Sequence, residues 1–125
     1  MIWLVIILLI IAGISNAIMD TLQFRYSRSI FAKFKNQQFW NPRISWRNKW
    51  KNGDHTQGEK FWGSSRWFVR FTDAWHFFQG MMYTCLFLVV VTYEKILNSV
   101  FDFLLIYLLF TTIFQIFFKI LSTKE

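Results

Sequence analysis

IWLVIILLIIAGISNAIM, residues 2–19, is 18 residues without a charge. A helix rising 1.5 Å per residue needs about 20 apolar residues, with a working range of about 17–25, to cross a hydrocarbon core about 30 Å thick. Two further runs fall in that range. FFQGMMYTCLFLVVVTY (residues 77–93) has 17 residues and VFDFLLIYLLFTTIFQIFF (residues 100–118) has 19. Three such runs in 125 residues, with 54% hydrophobic and 22% aromatic composition, leave too little polar chain to cover them as buried helices of a water-soluble core. They also leave no room for a separate soluble domain. The sequence therefore predicts an all-α integral membrane protein, one membrane domain over residues 1–125. Its spans are 2–19, 72–93 and 100–119, and residues 20–71 form a large basic, tryptophan-rich interfacial loop.

The amino-terminal run also has features of a secretory signal. Ser15-Asn16-Ala17 places small residues where cleavage requires them. No Lys or Arg precedes the run, so the positive n-region is missing, and the expectation is a retained first span. Charge sets the orientation. Residues 20–71 hold 11 of the 14 Lys and Arg, the turn 94–99 holds only Lys95, and the tail holds Lys119 and Lys124. Short Lys/Arg-rich loops stay cytoplasmic. The loop and carboxy terminus are expected inside a bacterial-type inner membrane, and the amino terminus outside. Lys119 and Lys124 sit where snorkelling side chains would fix the end of the third span.

The loop has one Pro, three of the five glycines and no low-complexity tract, so it does not read as a flexible linker. Phe24, Ile30, Phe31 and Phe34 recur near helical spacing, with Arg25, Arg28, Lys33 and Lys35 between them. This predicts that the first helix continues beyond the bilayer as an amphipathic stretch to about Asn36, before Asn41-Pro42. Residues 45–58 read as irregular, with a turn at Asn52-Gly53-Asp54. Ser64 or Ser65 is the expected N-cap of a second helix that also extends beyond the bilayer.

Six of the seven tryptophans lie between the first two runs. Indole rings favour the headgroup level, and Lys or Arg beside them meets anionic lipid phosphates at about 1 kcal/mol per charge. Arg43, Trp46, Arg47, Trp50, Trp62, Arg66, Trp67 and Arg70 are the expected lipid-interface residues. Interleaved bases and aromatics also suit single-stranded nucleic acid. A membrane loop is basic for topological reasons alone, so lipid is the favoured partner and nucleic acid is not.

The remaining candidate is a polar cluster. Asn16, Asp20 and Gln23 share one face of the first helix; Asp73 and His76, with Gln79 nearby, share one face of the second; Gln115 lies near the inner end of the third. Asp20, Asp73 and His76 are expected to meet near the cytoplasmic leaflet. The favoured reading is structural, with Asp73 accepting from His76 or from Arg66 and Arg70. A second is a divalent metal on Asp20, Asp73 and His76, although Asp-x-x-His is a spacing of low specificity. A third is proton relay or acid–base catalysis on a lipid-like substrate, with His76 titrating and Asp73 orienting it. Asp54, His55 and Glu59 read as a solvated turn before they read as ligands.

Other residues carry packing. Cys85 is single and has no disulfide partner. Asp102 is a first-turn acid of the third helix, with Asn98 or Ser99 as cap. Gly13 and Ala17 form a small-xxx-small pair that admits a neighbouring helix. No nucleophile elbow, Walker loop or zinc-protease helix occurs. The expected function is therefore a non-enzymatic accessory or interaction subunit, with no cofactor. Its loop docks on anionic headgroups or on a larger membrane complex, and the expected partners are membrane lipids and a larger membrane complex or further copies of the chain in a homo-oligomer. A further reading is an oligomeric pore former: the span count and orientation are similar to those of some holins, from whose compact pattern the large loop departs.

Overall fold

The computed structural model describes residues 2–122, which are helices and turns with no strand among them. Lys124, expected beside the end of the third span, lies outside the described residues. The order is α1 (Ile2–Phe24), single helical turns α2 (Gln37–Trp40) and α3 (Pro42–Ser45), then α4 (Ala74–Thr92) and α5 (Ser99–Leu121). At 23, 19 and 23 residues, α1, α4 and α5 are long and apolar enough to cross a membrane. Their lengths are about 34, 28 and 34 Å by helical rise.

α1 is the central helix, with α4 antiparallel and α5 parallel against it. Val5, Leu8, Leu9 and Ala12 pack on Cys85 and Val89 of α4 and on Ile106 and Phe110 of α5. At the loop end, Ala17, Ile18 and Leu22 pack with Phe31, Ala74 and Leu121. Gly13 sets the α1–α5 separation, because a Cβ there would stand 2.8 Å from Ile113 Cγ2 and 3.1 Å from the Phe110 carbonyl. The outward faces of α4 and α5 are apolar as well; Val90 and Val91 are 79% and 78% exposed.

Both expected helix extensions differ from the structure. α1 ends at Phe24, not near Asn36. Arg25 leaves the helical region (φ −134°, ψ 24°), and tight turns follow at Tyr26–Arg28 and Ile30–Lys33. These turns bring Phe31 back to the bundle, where it is 3% exposed and stacks on Trp40 at 5.0 Å. Burying one such side chain contributes about 1.5–3 kcal/mol, enough to override a local periodic pattern. Asn41 then caps α3 by accepting the Arg43 N–H at 3.0 Å, with Pro42 in the first helical position.

α4 begins at Ala74, not at Ser64 or Ser65. Ser64 is fully buried and donates to the Lys49 carbonyl at 2.6 Å. Extended Asp73 (φ −152°, ψ 165°) is the N-cap, accepting the His76 N–H at 2.9 Å. The stretch expected to be irregular is a chain of 3-10 turns, closed where Lys51 N–H meets Gly58 O at 3.0 Å and Lys60 N–H meets Lys49 O at 2.9 Å. Asn52 (φ 53°) and Gly53 (φ 72°) make the expected turn within it.

At the far end, Asn98 caps α5 as expected, accepting the Phe101 N–H at 2.9 Å. Asp102 organises the turn before it. Its carboxylate accepts from Ile96 N–H at 2.9 Å, Leu97 N–H at 3.1 Å and the Tyr93 hydroxyl.

Candidate functional site

At the loop end of the bundle the turns leave an open cavity of about 880 Å³. Leu22, Gln23 and Phe24 of α1 form one wall, and Asp73, Trp75 and His76 at the start of α4 form another. Tyr26, Gln37, Asn41, Arg43 and Trp46 complete it from the loop. The wall is latched twice. Gln37 Nε2 donates to Phe31 O at 3.0 Å and its Oε1 accepts from the Tyr26 hydroxyl. Asn48 Nδ2 donates to Thr72 O at 2.8 Å, joining the 46–49 turn to the residue before the α4 cap. Apolar side chains such as Leu22, Phe24 and Trp75 and polar ones such as Gln23, Gln37 and Asn41 therefore line one space. Burial raises the Tyr26 phenol, and its bond to Gln37 partly opposes that.

The cap of α4 places the one titratable pair in this wall. Asp73 is 3% exposed. Its Oδ1 takes the His76 backbone N–H, and its Oδ2 lies 2.8 Å from His76 Nδ1. The Thr72 hydroxyl stands 3.2 Å from Oδ2. A carboxylate accepts, so Nδ1 carries the proton and Nε2 is the ring's remaining basic nitrogen. Trp75 meets the imidazole edge-on, 5.0 Å between centroids. Chemically, the arrangement is an oriented base beside an amphipathic cavity.

The structure joins Asp73 to His76 and leaves Asp20 out. Asp20 lies about one turn before Gln23 and Phe24, deeper along α1 than the residues that reach the cavity. No group of three or more His, Cys, Asp or Glu in metal-binding range occurs among the described residues. Nor does Asp73 accept from Arg66 or Arg70: Arg66 Nε faces Glu59 at 3.8 Å, and Arg70 lies along α4. His55 sits edge-on to Trp50 at 6.4 Å, and Asp54 accepts the Thr56 hydroxyl and N–H.

The expected interface residues divide into two groups. Arg43 and Trp46 line the cavity mouth, and Arg47 lies over the Trp46 ring at 5.1 Å. Trp50 is half-buried, with Lys49 5.9 Å from its ring. Trp62 and Trp67 are 77% and 76% exposed and form an aromatic ledge with Phe68 and Phe71; Trp62 and Phe71 each contact Phe68. Glu59 folds the backbone beneath this ledge, accepting the Ser65 hydroxyl, the Gly63 N–H at 3.0 Å and the Ser65 N–H at 3.2 Å. The Ser65 hydroxyl, then the Gly63 N–H, hold its carboxyl below the ordinary glutamate range.

Sequence reasoning missed Tyr26, Gln37, Asn41 and Asn48 as parts of the site. Asn41-Pro42 carried a signal that was legible as a cap. The other three act through contacts between separate turns, which no local spacing encodes. No protein-family model, curated protein or solved structure matches the chain.

Proposed function

We propose that this chain is a small integral membrane protein in which α1, α4 and α5 are spans, and that it acts as a non-enzymatic accessory subunit. Its basic, aromatic loop docks on anionic lipid headgroups at the cytoplasmic face of a bacterial-type inner membrane, beside a larger complex or another copy. The carrying observation is the ledge of Trp62, Trp67, Phe68 and Phe71, exposed rather than buried and flanked by Lys60, Arg66 and Arg70. Large rings left open to water are costly, whereas the headgroup zone accommodates an apolar ring beside cations.

Full-length chain in vesicles of phosphatidylglycerol and phosphatidylcholine tests it by tryptophan quenching. The emission lost in the Trp62→Phe/Trp67→Phe double variant should be quenched by lipids brominated near the headgroup and shielded from aqueous iodide. Quenching by iodide alone would count against docking.

One observation favours a second reading. The 2.8 Å Asp73–His76 bond stands at the wall of an amphipathic cavity. In this reading His76 Nε2 exchanges a proton with the head of a lipid-like substrate, and Asp73 orients the ring. Lipid extracts from cells carrying His76→Gln should then accumulate one lipid class, and Asp73→Asn should shift the same class less. An unchanged lipid profile in both variants removes this reading.

A further inference from the structure

Arg70 borders the ledge in sequence, but its guanidinium is seated on α4. Its Nη2 donates to Thr84 Oγ1 at 3.1 Å. The Thr84 hydroxyl in turn donates to Gly80 O at 2.7 Å, so its lone pair is free to accept from the arginine. The guanidinium lies on Gly80 itself: a Cβ there would stand 2.6 Å from Arg70 Cζ. Gly80 and Thr84 are six and ten residues past Ala74, the start of α4. That places the charge about 9–15 Å along a helix about 28 Å long.

No carboxylate among the described residues pairs with it. Of the five N–H donors of a guanidinium, the bond to Thr84 is the one the described residues fill. Two other loop cations have seats of their own, Arg66 facing Glu59 and Lys49 facing Trp50. A charge so far along a span, with open planar donors, calls for an anion that reaches it from the lipid side. The described residues place no carboxylate against the guanidinium, whereas every glycerophospholipid carries a phosphate at the end of two acyl chains. The guanidinium fork matches phosphate oxygens in pairs, and Trp67, Phe68 and Phe71 stand exposed along the same connection.

We infer that Arg70, seated in the Gly80–Thr84 notch, binds the phosphate of one glycerophospholipid and draws the headgroup level inward along this face of α4. The inference rests on α4 being a span. The inward phosphate is accommodated by a local thinning of the leaflet, the ordinary response to mismatch.

The test uses full-length chain purified in mild detergent and stripped of lipid. It is titrated separately with phosphatidylglycerol, with a phosphate-free glycosyl diacylglycerol of the same acyl chains, and with inorganic phosphate. Native mass spectrometry counts bound lipid. One phosphatidylglycerol should bind, and the phosphate-free lipid should bind at least about tenfold more weakly. Arg70→Gln should lose that preference. Gly80→Ala should weaken it while keeping the charge, since the added methyl displaces the guanidinium and alanine suits the helix. Lys95→Gln, in the turn at the opposite end of the bundle, should leave it intact. Equal binding of both lipids, or an unchanged preference in Arg70→Gln, overturns the inference. So does displacement of the lipid by inorganic phosphate, which would mark a free-phosphate site. A chain that stays monodisperse without detergent defeats the membrane reading itself, an outcome separate from these.

Discussion

Asp73 does two things with one carboxylate. One oxygen caps α4 through the His76 N–H and the other orients the His76 ring. Asp73→Ala removes both, and loss of an N-cap acceptor costs about 0.5–2 kcal/mol. Asp73→Asn keeps an acceptor oxygen for the cap. Thermal unfolding in detergent micelles, followed by helical circular dichroism, should therefore show a clear drop for the alanine variant and a smaller one for asparagine. Equal losses would mean that the cap contributes nothing. Glu59 carries a pH dependence. Its carboxyl is held below its ordinary range, chiefly by the Ser65 hydroxyl, so its contribution is complete above the ordinary glutamate value and is lost as pH falls through the lower folded value. Amide exchange at Gly63 and Ser65 should accelerate once pH falls below the ordinary glutamate range, beyond the intrinsic rate change, and Glu59→Gln should abolish that step. Protection that persists unchanged to lower pH would contradict the assignment.

The helices show what a one-dimensional pattern can and cannot encode. The three apolar runs were legible as long unbroken stretches of the length a span needs, and α1, α4 and α5 fall on them. The Asn98 cap and the close approach at Gly13 were legible too, since each depends on residue types a few positions apart. The ends of α1 and α4 on the loop side were not. Phe31 packs with Leu22 and Trp40, and Ser64 bonds to Lys49, contacts set by how turns return to the bundle. The Asp73–His76 pair was readable at its spacing of three, whereas the exclusion of Asp20 depended on where α1 meets the loop. The α1–α5 contact gives a test at this scale. Gly13→Leu places a branched side chain where even a Cβ is 2.8 Å from Ile113. Overpacking of this kind costs about 1–3 kcal/mol, so the midpoint of unfolding should fall. A disulfide engineered between α1 and α5 near that level should form more slowly in the variant. An unshifted midpoint would mean that the two helices do not pack closely there.

Across the whole molecule the solvent decides the account. α1 is covered by two neighbours, while α4 and α5 turn valine, leucine and phenylalanine faces outward. In water each such side chain left uncovered forgoes about 1.5–3 kcal/mol of burial; in hydrocarbon the same faces are at home and the polar loop gathers at one end. The cavity and the aromatic ledge lie toward that end and the Arg70 notch about 9–15 Å along α4 from it, so the proposed lipid docking, headgroup chemistry and phosphate capture rest on one arrangement. Membranes from cells making the full-length chain, washed with alkaline carbonate and pelleted, test that arrangement directly. The account predicts that the chain stays in the pellet until detergent is added. Its release into the supernatant as a monodisperse species would contradict it.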